Sequence, residues 1–514
     1  MELLLSHQTQ FVRIFSQIHR KADTKFLMKS LQDLIVSLRK TIMTEKLPSV
    51  QLSHFTILKL LFKLIVYTRD IRGGLGERNI SYCMLFIWKY HFPLPTAYCL
   101  HQIVSFAEEG EDGSYGSWRD IKGVCDFIRT HSEKGEQDPF IETCIGLMNH
   151  QLDKDCTDRK NHAKISLVSR WIPRESSMHK WLYERCVLQW IRAFRPQYLK
   201  SAKMNRNSLC RALNKAKKEY RLICTALSKD TDTLQIKQCG NEWDKINPAH
   251  IPMQAMTTQQ HALLNIGLNG TIRTKSLFSK DRHQCALKIQ SWWGSKKKRR
   301  VFVEMGTIIK LALSVSPYHQ RTAENLWTSV LSQMPSTSNY IMPILDMSLF
   351  HTDPESFYHA LGMALALACK CADQKRLLVF DTTAMFVTLS GNLSQMMDSM
   401  KPVYSEHHIG SVIEDAFSLA KLYEKTDTLL VVFSRSRLVN KPPANVLYWG
   451  TQHENEKVFV GCTNHTISRI AEIQADTWKH ITPYLFIQFL LSSKRYDQIE
   501  AYFDTILCRG AKPP

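Results

Sequence analysis

"LSQMPSTSNYIMPILDMSLF", residues 331–350, changes texture half-way along. Its first half is rich in Ser, Thr and Pro, residues that interrupt periodic structure. Its second half opens a short apolar run ending at Asp346 and Ser348. Downstream, "RLLVFDT", "TLLVVFSRS" and "KVFVGCT" repeat that kind of run, and "FYHALGMALALACK" and "SVIEDAFSLAKLYEK", with helical periodicity, separate the first three. Strands alternating with amphipathic helices predict a doubly wound α/β domain with a parallel sheet over residues 336–514. "YLFIQFLLSSKRYDQIEAYF" reads as its closing helix.

Upstream, residues 1–330 read as helix after helix. "FLMKSLQDLIVSLRKTI" places Phe26, Leu27, Leu31, Leu34, Ile35 and Leu38 on one face. "SHFTILKLLFKLIVYTRD" is apolar nearly all round. Period-two runs are scarce, so this part is predicted to be an all-α stack of antiparallel helix pairs. It shows no repeat of fixed sequence period.

Of the 514 residues, 44% are hydrophobic, enough for real cores and against wholesale disorder. Lys and Arg number 67 against 47 Asp and Glu, a formal net charge of +20. That excess points to polyanions, nucleic acid first, over a merely soluble basic surface or an acidic protein partner. The 14 cysteines include no C-x-x-C pair, which argues against a zinc ribbon or finger; scattered thiols fit a reducing compartment, cytosol or nucleus. No stretch approaches the ~20 apolar residues of a spanning helix, because Lys59 and Lys63 interrupt the eleven of "ILKLLFKLIVY". A soluble protein with no membrane partner is expected.

Four segments hold the candidate chemistry. "RDIRGGLGERN", residues 69–79, is neither a P-loop nor a dinucleotide fingerprint. Gly73 and Gly74 in left-handed geometry would cap a helix, while Arg72 and Arg78 could reach an anion. In "SRWIPRE", residues 169–175, Pro173 and Glu175 suit a helix start, and Arg170 is expected to meet an internal carboxylate. Between Arg192 and Arg221 only Glu219 offsets ten Lys and Arg. There Leu209, Leu213, Ala216 and Tyr220 form an apolar stripe, and Arg211, Lys215 and Lys218 a cationic one suited to phosphates. In "ALKIQSWWGSKKKRR", Ile289 and Gln290 begin a calmodulin-type motif, but Gly294 replaces its first arginine. Lys296, Lys297, Lys298, Arg299 and Arg300 also read as a localisation signal or polyanion patch. No H-E-x-x-H or G-x-S-x-G occurs, and no catalytic residue is assigned.

"RDIRGGLGER", "YGSWRDI", "SRWIPRE", "YRLICTALSKDTDTLQIKQCGNEWDKI" and "YIMPILDMSLF" occur in that order. Together they resemble a family of plants, fungi and large DNA viruses that is similar to the TROVE proteins, the family of the Ro autoantigen. The resemblance runs from about residue 50 to 500. It implies a ring or horseshoe of HEAT-like helix pairs, a von Willebrand factor A-like domain, and binding of structured or single-stranded RNA.

In A domains a D-x-S-x-S motif, a Thr and a distal Asp hold Mg²⁺. Asp346 and Ser348 match the motif, but Phe350 replaces its second serine. His408 and Arg435 fall near the Thr and Asp positions. A cation beside Mg²⁺ is unfavourable and the ion wants oxygen ligands, so a degenerate, metal-free site is expected, with Asp346 pairing an arginine such as Arg435. The sequence therefore predicts a non-enzymatic RNA-binding protein without cofactor, in the cytoplasm or nucleus of a host cell or in a virion. A protein-interaction scaffold or virion assembly component is the rival. A nuclease lacks the acid cluster it would need.

Overall fold

The computed structural model describes residues 2–510, except 19–21, 106–113, 201–205, 268–270, 274–279, 295–302, 335–339, 371–374, 382, 405–412, 424–427, 435–445, 450–457, 460–463 and 474–479. The chain forms two compact units: residues 1–62, 71–75 and 241–496, and residues 63–70, 76–240 and 497–514.

In the first unit, helices Glu2–Ser16 and Thr24–Thr44 bury Phe11, Ile14 and Phe15 with Leu27, Leu31, Leu34, Ile35 and Leu38. Asp23 caps the second helix, accepting from the Lys25 N–H at 2.9 Å. Phe26 is 46% exposed rather than buried, because it precedes the stripe by one residue, about 100° around the helix.

The unit's sheet comprises β1 (Ile341–Asp346), β2 (Arg376–Phe380), β3 (Ala384–Thr388), β4 (Leu429–Phe433), β5 (Val446–Trp449) and β6 (Val458–Phe459). Six strands run in the order β3-β2-β1-β4-β5-β6. All neighbours are parallel except β2 and β3. The α/β reading of the C-terminal region therefore stands, but the sheet is mixed rather than wholly parallel. Only residues 381–383 join β2 to β3, too short a link for the crossover a parallel pair requires. β4 and β5 are buried throughout, which is why they read as unbroken apolar runs, whereas edge strand β3 is partly exposed.

Helix Pro354–Lys370 packs on helix Met305–Ala312 through paired glycines. A Cβ on Gly362 would lie 2.8 Å from Met305 Cβ, and one on Gly306 3.0 Å from the His359 ring. The close approach lets the Gly306 N–H donate to His359 Nδ1 at 3.2 Å.

Among the described residues, the regular secondary structure of the second unit is all helical. It includes helices Arg78–His91, Pro93–Val104, Arg119–His131, Pro139–Lys160, Val168–Trp171, Lys180–Phe194, Arg206–Asp230 and Asp497–Gly510. Sequence neighbours Arg119–His131, Pro139–Lys160 and Lys180–Phe194 pack in succession. Lys89 donates to Asp138 at 2.7 Å with both side chains buried. Asp138 also accepts from Ser132 Oγ at 2.7 Å and caps helix Pro139–Lys160 through the Phe140 N–H at 3.0 Å. The expected closing helix is two helices, Pro483–Leu491 in the first unit and Asp497–Gly510 in the second. In the latter, Tyr502 stacks on Tyr98 with centroids 3.5 Å apart.

Helix Pro48–Arg69 has 22 residues and is long and apolar enough to cross a membrane by length and composition, where the sequence alone suggested a run of eleven. In the protein Leu61, Leu64 and Ile65 are fully buried, Lys63 pairs with Glu500, and Arg69 with Asp120. These contacts describe a core helix.

Candidate nucleic-acid interface

Helix Arg206–Asp230 is anchored by one face. Ala216, Tyr220 and Leu227 are buried, and the Tyr220 hydroxyl donates to Asn149 Oδ1 at 2.8 Å. Asn149 in turn donates to the Cys186 carbonyl at 2.9 Å, and the Trp190 ring meets Tyr220 edge-on at 5.3 Å. The apolar stripe weakens towards the N-terminal end: Leu213 is half-buried and Leu209 is exposed.

Arg211, Lys215 and Lys218 are all exposed on the helix. Their spacing of four and three residues sets them on one face. Glu219, the lone acid of the segment, points elsewhere: Arg195 Nε reaches it at 3.2 Å and the Tyr198 hydroxyl donates to it. Lys217 pairs with Glu184 at 3.8 Å and Arg221 with Glu175 at 3.6 Å. Among the described residues, none of Arg211, Lys215 and Lys218 has a carboxylate within 4.0 Å. The nearby acids are thus used by other cations, and this stripe keeps its charge for solvent.

The glycine loop is built differently from its expected form. Gly76, not Gly73 or Gly74, holds the left-handed conformation, with φ 70°. Its N–H donates to the Asp70 carbonyl at 3.0 Å, and the Glu77 N–H to the Thr68 carbonyl at 2.7 Å, closing the turn between two helices. Arg69 points into the core and donates through Nη2 to Asp120 Oδ2 at 2.8 Å. Arg78 places Nε 3.7 Å from Asp120 Oδ1 and keeps 45% of its side chain exposed. Arg72 is half-buried. Asp120 also accepts from the Tyr82 hydroxyl at 2.6 Å and the Ser117 N–H at 2.8 Å. Burial, then the Asp120 charge, push the Tyr82 hydroxyl far above its ordinary pKa. The motifs "RDIRGGLGER" and "YGSWRDI" therefore meet in a buried ion-pair network. Sequence spacing gave no sign of that meeting, since Arg69 and Asp120 lie 51 residues apart.

"SRWIPRE" is not a helix start. Helix Val168–Trp171 ends there, the Ile172 N–H closes on the Val168 carbonyl at 3.0 Å, and the next helix begins at Lys180. Arg170 has no carboxylate within 4.0 Å among the described residues, and its guanidinium lies 5.4 Å from the Trp171 ring centroid. Lys296, Lys297, Lys298, Arg299 and Arg300 lie outside the described residues.

In the α/β unit, Asp346 ends β1 beside the end of β4. Its Oδ1 accepts from the Ser348 N–H at 3.0 Å and the Ser348 hydroxyl at 2.6 Å, and its Oδ2 from the buried Ser434 hydroxyl at 2.6 Å. Ser434 was missed by sequence reasoning; the only signal was its place directly after the apolar run of β4. Phe350 packs edge-on against Phe357 at 5.3 Å. His408 and Arg435 lie outside the described residues. The oxygens described here are one carboxylate and two hydroxyls that donate into it, and a phenyl ring holds the remaining motif position. Among the described residues no group of three or more His, Cys, Asp or Glu could hold a metal ion.

The chain is similar to an uncharacterised protein of Acanthamoeba polyphaga mimivirus, 23% identical over 397 residues, which cover 72% of this chain and 63% of that protein. The match thus spans less than two thirds of the relative's length. No family model matches the chain, and no solved structure matches it.

Proposed function

We propose that this protein is a non-enzymatic RNA-binding protein, organised like the Ro ribonucleoproteins, with HEAT-like helix pairs and a metal-free von Willebrand factor A-like domain. The observation carrying the reading is the row of Arg211, Lys215 and Lys218, exposed and, among the described residues, without a carboxylate within 4.0 Å, in a chain of net charge +20. Cations left unneutralised on a rigid helix offer a polyanion a row of contacts whose formation releases counterions. Arg78, half exposed at the end of the glycine loop, is a further contact, weakened by its Asp120 partner. Arg72 and residues 296–300 complete the proposed set.

The A-like reading draws on Asp346 and Ser348 at the end of β1, with Ser434 at the end of β4, in the arrangement the resemblance implies. The metal-free reading rests on the sequence, where Phe350, His408 and Arg435 stand at positions that oxygen ligands would fill. The similarity to a viral protein agrees with residence in the host cytoplasm or nucleus, or in a virion.

Fluorescence anisotropy with single-stranded and hairpin RNA, between 50 and 300 mM salt, tests the function. Tight binding that weakens steeply with salt is the expected result. No binding at low salt would overturn the reading in favour of a protein-interaction scaffold or virion component.

A further inference from the structure

Trp171 is surrounded by positive charge. The Lys122 ammonium lies 5.2 Å from its ring centroid, and the Arg170 and Arg119 guanidinium carbons lie at 5.4 Å and 5.8 Å. Arg174 follows three residues after the tryptophan and is close enough to act on Lys122 electrostatically. Arg119 and Arg174 are exposed; Lys122, Arg170 and Trp171 are half-buried.

Two elements bring the cations together. Arg119 opens helix Arg119–His131 and Lys122 sits one turn on, while Arg170 and Arg174 bracket the end of helix Val168–Trp171. Pro173 stops that helix and lets the chain fold back at Arg174. Among the described residues none of the four cations has a carboxylate within 4.0 Å. Of the nearby acids, Asp126 lies 3.1 Å from His179 and 3.9 Å from Arg129, and Glu175 lies 3.6 Å from Arg221.

Burial first, then the Arg119 charge, pull the Lys122 pKa down; Asp126 opposes the shift and Arg174 adds to it. Burial alone lowers the Arg170 pKa. Four like charges in a partly dry setting repel one another, and cation–π attraction to one indole offsets only part of that cost. A tetrahedral oxyanion would remove the repulsion, because guanidinium forks and an ammonium match its several oxygens.

We propose that Arg119, Lys122 and Arg170, arrayed about Trp171, form a phosphate-binding site together with the neighbouring Arg174. Taking that phosphate from RNA rests on the function proposed above; the affinity for a phosphate group does not. Two sources share the chemistry, an internal phosphodiester and a terminal phosphomonoester.

Thermal unfolding of the full chain, with inorganic phosphate exchanged for chloride at constant ionic strength, is the first arm. Phosphate should raise the midpoint of the wild type, as for any ligand that binds only the folded state. Arg170→Gln with Arg174→Gln should abolish the rise. Arg174→Gln alone, at an exposed position, should reduce it with the circular dichroism spectrum unchanged.

The second arm compares 5′-phosphorylated with 5′-hydroxyl RNA of one sequence. Preference for the phosphorylated form by tenfold or more, lost in the double variant, identifies a terminal monoester. Equal wild-type affinities, both reduced about tenfold in that variant, identify an internal diester. A phosphate-dependent rise with no RNA binding keeps the site and overturns the RNA reading. Absence of the rise in wild type, or its persistence in the double variant, overturns the site, whatever the RNA result.

Discussion

Arg69 donates to Asp120 across 2.8 Å with side-chain exposures of 2% and 0%. The pair holds the end of helix Pro48–Arg69 against the start of helix Arg119–His131. Breaking a buried ion pair from one side leaves a charge without compensation. Asp120→Asn should therefore destabilise by about 3–5 kcal/mol. Tyr82→Phe removes one hydrogen bond to a charged group and should cost about 1.5–3 kcal/mol. Urea unfolding ranks the two; a cost for Asp120→Asn below about 1 kcal/mol would mean that the pair behaves like a solvent-exposed one.

Gly116 gives that network its room. A Cβ there would lie 2.6 Å from Asp120 Oδ2 and 2.9 Å from Ile103 Cγ2. Gly116→Ala should cost about 1–3 kcal/mol by overpacking. Gly362→Ala, whose Cβ would meet Met305 at 2.8 Å in the other unit, should cost a similar amount. Midpoints at or above wild type in both variants would show that the neighbours relax freely.

The Lys89–Asp138 pair predicts acid sensitivity. Burial alone would raise the Asp138 pKa, but hydrogen bonds from Lys89, Ser132 and the Phe140 N–H, with the Lys89 charge, bring it below its ordinary value of 3.8. A carboxyl whose folded pKa is depressed stabilises fully above its unfolded value and loses that contribution as pH falls through the folded one. Lys89→Met should weaken the protein near neutral pH and flatten the fall in stability below about pH 4. A pH–stability curve merely displaced in parallel would contradict the assignment.

Replacing Arg211, Lys215 and Lys218 with Glu should lower RNA affinity at low salt. It should also reduce the slope of log affinity against log salt by about two, at roughly 0.7 per phosphate contact on a single strand. An unchanged slope would place the RNA on another surface.

Phe350, His408 and Arg435 at motif positions that want oxygen ligands predict indifference to magnesium. Millimolar Mg²⁺ should leave the melting midpoint of the α/β unit unchanged, in contrast to the rise a specifically bound ion produces. A saturable rise that Asp346→Asn removes would show ligation through this site.

Helical texture before residue 331, strands after it, and the cationic row of helix Arg206–Asp230 were legible because periodicity and charge are local properties of the chain. The buried positions Ala216 and Tyr220 followed from the same spacing, whereas Leu209, at the stripe's N-terminal end, is 37% exposed. Edge strand β3 escaped notice because its alternation is brief and weakly apolar, and its antiparallel direction depended on the short link at residues 381–383.

The sequence by itself determined which segments could be helix or strand, and which helix face would carry unbalanced charge. Only the tertiary structure decided where charges and donors were spent: Arg69 and Arg78 on Asp120, Arg195 on Glu219, and the Ser434 hydroxyl on Asp346. It also gathered Arg119, Lys122 and Arg170 around Trp171, with no carboxylate within 4.0 Å of them among the described residues. Electrostatic partnership is set by distance through space, and residues tens of positions apart acquire that distance only when the chain folds.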